Sequence, residues 1–156
     1  EGVKLAKDNG TYLVMDIYNG DYIDKVGREE KWPEDYLRKN TETTEVQREG
    51  FRKAVKAGVK IAYGTDAGIY PHGKNARQFA YMVKYGMTPM QAIQSATLVA
   101  ADLLNWQQDV GAVSAGRFAD MIAVDGDPIA DISILEKTPV VMKGGAIVPS
   151  DIFPEM

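Results

Sequence analysis

The stretch IAYGTDAGIYPHG, residues 61–73, decides how the chain is read. Ile61 to Tyr63 form a short apolar run of strand type, which then gives way to Gly64, Asp66, Gly68 and, at position 72, the only histidine of the protein. In parallel α/β architectures, functional groups collect at the carboxyl ends of strands, where loops vary while the strands hold them rigid. Asp66 stands at such a place, between glycines that permit close backbone approach. Position alone leaves two readings open: a catalytic carboxylate, or a cap for the next helix or an Asx-turn. His72, alone in a glycine-rich loop, is of a kind more often found as a surface or turn residue than as a ligand. With one His and no Cys, the chain cannot by itself supply the nitrogen and sulfur ligands of an ordinary zinc site.

Working upstream, TEVQREGFRKAVKAGVK from Thr44 has helical spacing, with Gly58 just past its end and VKIAYG following directly. That is helix, tight turn, buried strand. Before it, NGDYIDKVGREEKWPEDYLRKNTETT is polar, charged and broken by Gly and Pro, which predicts a long loop of the kind that serves as a lid. Its charge runs read as a solvated face, and Tyr18, Tyr22, Trp32 and Tyr36 are candidates either to cover a substrate or to pack against the body of the protein. TYLVMDIY, residues 11–18, is almost continuously apolar and predicts a strand covered on both faces, again with an acid, Asp16, near its end. Residues 2–8 predict a short helix stopped by Asn9 or Gly10.

Downstream, Asn75 with Gln78 three residues on suggests a capping box ahead of a helix that stops at Gly86. Thr88, Pro89 and Gln91 predict a second helix start, with one helix running on to Leu104. GAVSAG, ADMIAVDGDP and PVVMKGGAIV then read as short strands, the last a hairpin turning at Gly144-Gly145. A boundary near Trp106 to Gly111 separates an α/β part from a β-rich part.

At 156 residues, with 45% hydrophobic and 26% charged side chains, the chain has the size and composition of one soluble globular domain. A formal net charge of −4 gives no electrostatic case for nucleic acid or an anionic membrane surface. Small-molecule substrates are the expected partners. The absence of cysteine removes a thiol nucleophile and a disulfide framework without fixing a compartment.

Together, GTDAG at 64–68, PHG at 71–73, YGMTPMQAIQSAT at 85–97, GAVSAGRFADMIAVDGDP at 111–128 and VVMKGGAIV at 140–148 resemble the C-terminal part of the metal-dependent amidohydrolases. Their order resembles most the imidazolonepropionase-like and Xaa-Pro dipeptidase-like branch. The resemblance implies an α/β fold: the C-terminal portion of a (β/α)8 TIM barrel over residues 1–108, contributing the last two strands and their helices, then part of a small β-sandwich domain over 109–156. It implies one or two divalent metals, zinc by expectation, and matches Asp66 to the Asp of the last barrel strand. There Asp66 would be both metal ligand and general base, taking a proton from the metal-activated water that attacks an amide of a dipeptide or N-acyl amino acid. His72, in the loop after that strand, would lie on the substrate side.

The departures from the family carry equal weight. The sequence has no HxH pair, so the other metal ligands are expected outside this chain, in an N-terminal half of the same protein. The chain alone is therefore expected to be inactive and aggregation-prone, with a homo-oligomer open for the complete protein. A different class of reading makes the chain a non-catalytic α/β binding or assembly module with Asp66 as a cap. It explains the missing ligands but not the ordered series of motifs. A phosphoacceptor role for Asp66 would need an acidic cluster for which Asp16 is the sole obvious member.

Overall fold

Parallel strand pairing needs a crossover between the strands, and the chain supplies one. In the computed structural model, which describes residues 1–149, α1 (Gly2–Asp8) leads into β1 (Leu13–Met15), followed by α2 (Asn19–Glu29), α3 (Glu34–Ala57) and β2 (Ile61–Tyr63). β1 and β2 pair in parallel, with Leu13, Val14 and Met15 opposite Ile61, Ala62 and Tyr63. Gly58 ends α3 in the left-handed conformation, at φ 69°, as the sequence predicts. Then come α4 (Arg77–Lys84), α5 (Pro89–Ala96) and α6 (Leu98–Leu103). The core lies between the strands and the helices, where Ile17, Phe51, Ala54, Met82 and Ala92 are fully buried.

The predicted long loop is a helical hairpin instead. Residues 19–29 and 34–57 are helical, and only the turn around Trp32 and Pro33 is irregular. The polar run is a solvated helix surface laced with Asp24–Arg28 and Arg38–Glu42 ion pairs at i, i+4 spacing. Gly20 and Gly27, which read as breakers, are contact points. A Cβ on Gly20 would stand 2.5 Å from Thr44 Oγ1, and one on Gly27 would stand 2.7 Å from Leu37 Cδ2. The missing side chains let α2 and α3 close on each other.

Other expectations also change. The strand predicted over 11–18 pairs only at Leu13–Met15, and Val14 is 60% exposed, so β1 is covered on one face rather than two. No capping box forms at Asn75, because Gln78 is drawn into the core. Its Oε1 accepts the backbone N–H groups of Ile17 and Tyr18, both at 3.0 Å, and its Nε2 donates to Met15 O at 2.9 Å. Burying those backbone groups without a partner would cost more than a cap contributes. The box at Thr88 does form. The helix it starts breaks at Thr97, whose φ −123° and ψ −90° separate α5 from α6.

GAVSAG is a turn rather than a strand. The β-rich part consists of β3 (Met121–Ala123), a 3-10 turn (Ile132–Glu136), β4 (Val140–Lys143) and β5 (Ala146–Ile147). These strands form an antiparallel sheet in the order β3-β4-β5. The expected hairpin is present, with Gly144 and Gly145 at φ 57° and 83°, the pair of positive angles a type I′ turn needs. The 3-10 turn is tied to α4 through Arg77 Nε and Glu136 Oε2 at 3.6 Å. Residues 150–156, the end of the β-rich part as drawn from sequence, lie outside the described residues.

Candidate functional site

The carboxyl ends of β1 and β2 bring two acids together. Asp16 directly follows β1, and Asp66 lies three residues beyond Tyr63, the end of β2. Gly64 extends the pairing one step, donating to Met15 O at 3.1 Å. A Cβ there would meet Val14 Cγ1 at 3.0 Å and Met15 O at 3.2 Å, so the close approach requires glycine. Asp66 sits at φ 49°, a left-handed backbone that a non-glycine residue adopts only at a cost and that concentrates at functional sites.

Amides from the two crossover helices hold the acids. Asn19 Nδ2, at the start of α2, donates to Asp16 Oδ2 at 2.5 Å and reaches Asp66 Oδ2 at 3.4 Å. Gln47 Nε2, from the middle of α3, donates to Asp16 Oδ1 at 3.2 Å. Asp16 is half-buried and has both oxygens engaged, whereas Asp66 is exposed. Among the described residues, Asp66 Oδ1 has no hydrogen-bond partner. Asp66 also caps no helix, since α4 begins after Ala76 and takes no side-chain cap. Beneath the pair, Tyr70 is buried, donates its hydroxyl to Thr65 O at 2.7 Å, and meets Tyr18 edge-on at 5.1 Å. Burial, with the charges of Asp16 and Asp66 nearby, pushes the Tyr70 hydroxyl pKa up. It stays a donor at neutral pH.

A cleft of about 610 Å³ opens beside the acids, between α2, α3 and Ile69. Asn19 and Gln47 belong to its wall as well as to the acid pair. Of the aromatic residues expected to cover a substrate, Trp32 and Tyr36 line this cleft. Tyr18 and Tyr22 instead pack against Tyr70. The helical hairpin is pinned from behind by Arg48, only 5% exposed. Its guanidinium donates to Asp21 Oδ1 at 2.6 Å, while Tyr81 donates to Asp21 Oδ2 at 2.5 Å. Burial pushes the Asp21 carboxyl up, but the hydrogen bonds from Tyr81 and Arg48 outweigh it and hold the acid below its ordinary range.

Of the residues singled out in the sequence, Asp66 stands beyond the end of β2. His72 is exposed on the loop before α4, and among the described residues its side chain makes no hydrogen bond. Asn19 and Gln47 escaped sequence reading because both belong to helices read as loop or as plain helix surface. The one available signal was the DIYN run, which places an amide three residues after the acid. The donor set is oxygen, which suits a hard or borderline divalent cation. Asp66 has the free carboxylate oxygen that a ligand needs, and Asp16 lies beside it. Among the described residues, no group of three or more His, Cys, Asp or Glu side chains gathers to hold a metal. The residues fit one corner of a metal site.

Acids at the ends of adjacent parallel strands, joined by a helical crossover, define an α/β chain that presents its polar groups at the strands' carboxyl edge. The chain belongs to the amidohydrolase family, whose sequence profile matches residues 1–148. It is similar to ochratoxinase of Aspergillus niger, at 36% identity over 102 residues, covering 62% of this chain and 21% of that protein. Among solved structures it is similar to a Xaa-Pro dipeptidase with methionine bound in the active site, with a TM-score of 0.85 and 42% identity. That match covers 94% of this chain and 36% of the other. A prolidase complexed with N-methylphosphonate-L-proline superposes with a TM-score of 0.84 at 27% identity, with the same coverage of 94% and 36%. The chain thus spans about a fifth of the curated relative and about a third of these solved chains.

Proposed function

We propose that residues 1–108 are the last two strands of a (β/α)8 barrel with their helices, and that the chain from 109 onward completes a small β domain. The rest of the barrel lies in an N-terminal portion of the same protein. The full protein hydrolyses the C–N bond of a small amide, a dipeptide or N-acyl amino acid. This reading is supported by the family match and by the dipeptidase and prolidase neighbours.

The observation that carries the site is Asp66: an exposed carboxylate in left-handed backbone at a strand end, with one oxygen uncommitted among the described residues. A divalent cation, when bound, supplies Lewis-acid activation of the amide carbonyl and of water. Asp66 would be this chain's ligand to it. The Asp66 carboxylate takes a proton from the attacking water and delivers it to the departing amine nitrogen. Asn19 reaches one carboxylate oxygen at 3.4 Å, and the other is left without a partner among the described residues. Asp16, with both oxygens occupied, anchors Asn19.

The test is Asp66→Asn in the full-length polypeptide, assayed with a panel of Xaa-Pro dipeptides and N-acetyl amino acids. Turnover should fall by roughly a thousandfold or more, with the thermal midpoint close to wild type because the side chain is exposed. Retained turnover would remove Asp66 from the chemistry.

A further inference from the structure

Asp66 is a non-glycine residue at φ 49°, a backbone that such a residue keeps only where its surroundings hold it. Its own side chain supplies little of that hold, since its hydrogen-bond contact among the described residues is with Asn19 at 3.4 Å. The loop around it is fixed instead by Tyr70. The Tyr70 hydroxyl donates at 2.7 Å to Thr65 O, the carbonyl directly before Asp66, and Tyr70 O accepts from Gly68 N at 3.2 Å. Residues 65–70 thus close into a ring through one side chain, with Asp66 inside it.

Tyr70 is itself held. It is 2% exposed, its ring meets Tyr18 edge-on at 5.1 Å and Tyr22 at 5.7 Å, and Pro71 after it biases its backbone to extended conformations. Tyr18 and Tyr22 stand at the start of α2, so the hairpin braces the ring whose hydroxyl braces the Asp66 loop. A second tie comes from Asn75, whose Nδ2 donates to Thr65 Oγ1 at 3.3 Å and whose Oδ1 accepts from Gly73 N at 3.1 Å. Asn75 O in turn accepts from the Tyr63 hydroxyl at 2.7 Å, which returns the loop to the last residue of β2. A ring present only to fill space needs no hydroxyl; this one gives its O–H to the peptide before the acid.

We propose that Tyr70 is a positioning residue for the hydrolytic reaction: through Thr65 O it keeps Asp66 in the left-handed conformation that presents the carboxylate beyond β2, and Asn75 supports it through the Thr65 hydroxyl. The proposal rests on the hydrolase reading for what Asp66 does. Tyr70 is buried and its hydroxyl is committed, so its loss changes where the carboxylate stands rather than what binds. A shift of about 1 Å at a reacting group can lower turnover by about a hundredfold while leaving ground-state binding in place.

Tyr70→Phe keeps the ring and removes the hydroxyl, and it is tested in the full-length protein with the panel of Xaa-Pro dipeptides and N-acetyl amino acids. The expected outcome is a kcat lower by roughly tenfold or more, with KM within about twofold of wild type. Asn75→Ala, at a half-buried position, should lower kcat in the same sense. Thr88→Ala, which removes the capping box of α5, controls for lost stability and should keep its kcat. Hydrogen exchange read by mass spectrometry needs no turnover: the peptide spanning 64–75 should exchange faster in Tyr70→Phe than in wild type, with α3 unchanged. Wild-type kcat in Tyr70→Phe overturns the proposal, as does an equal loss of kcat in Thr88→Ala or an unchanged exchange of 64–75. Should Tyr70→Phe not fold, wild-type kcat in Asn75→Ala overturns it. If Asp66→Asn is inactive while Tyr70→Phe is unimpaired, the positioning role fails and the hydrolase reading stands. If Asp66→Asn keeps its turnover, or wild type cleaves nothing in the panel, the hydrolase reading fails and the positioning role falls with it.

Discussion

At the scale of single residues, the site depends on polar side chains whose partners come from distant positions. Arg48 is buried on α3, and its charge is tolerable there because Asp21 and Ile17 O accept its hydrogen bonds and the Tyr85 ring lies 4.9 Å from its guanidinium. Asp21 makes this network sensitive to acid. Its folded pKa lies below the ordinary 3.8, since the bonds from Tyr81 and Arg48 outweigh the effect of burial. A depressed carboxylate contributes its stability fully above its unfolded pKa and loses it as pH falls through the folded value. Asp21→Asn in the full-length protein should therefore be less stable than wild type at neutral pH, and the two should converge below about pH 4. Urea midpoints measured between neutral and acid pH check this; a gap that stays constant across the range contradicts it. Asp66 could be found from its neighbours in sequence, because a glycine-flanked acid after an apolar run is a local pattern. Gln78 and Asn19 could not. What each amide bonds to is decided by chain brought back from far along the sequence, as when Gln78 caps Ile17 and Tyr18 across sixty residues.

At the scale of elements, local chemistry predicted the capping box at Thr88, whereas at Asn75 a distant backbone took the glutamine that the box needed. Thr88 Oγ1 accepts from Gln91 N at 3.2 Å, and Gln91 Oε1 accepts from Thr88 N at 2.8 Å, as the spacing of these residues requires. Thr88→Ala should cost ~1 kcal/mol and Thr88→Ser close to nothing, read from denaturant midpoints of the full-length protein. Equal midpoints for Thr88→Ala and wild type would show that the box adds no stability. The α2–α3 hairpin was not legible for the opposite reason. Its glycines and proline are local signals for a loop, yet Gly20 and Gly27 are there for helix–helix contact. The helices owe their order to tertiary packing of their buried faces, with exposed i, i+4 ion pairs adding a little outside. Misreading the hairpin hid the cleft, because only the folded pair brings Ile23 and Tyr36 to one cleft.

At the scale of the whole molecule, the described strands leave apolar side chains uncovered. β1 and β2 form a sheet of two strands, far short of a closed barrel, and a two-stranded sheet has little stability of its own. In the β-rich part every residue of β3 is exposed. Ile122 and Ile147, in segments that the sequence reads as short strands, are more than half exposed, and Phe118 is 62% exposed. Such uncovered strands and side chains favour edge-to-edge association. If the N-terminal portion covers them, as proposed, the 156-residue chain expressed alone should elute as large, polydisperse species. It should also bind a hydrophobic dye and melt without a sharp transition. Supplied with the preceding segment of the same polypeptide, by co-expression as two pieces, it should elute as one defined complex with a cooperative melt and reduced dye binding. Light scattering on both samples checks the pair of outcomes. A monomeric, sharply melting isolated chain would mean that these surfaces are tolerated in water, and the barrel-fragment reading would lose its physical basis.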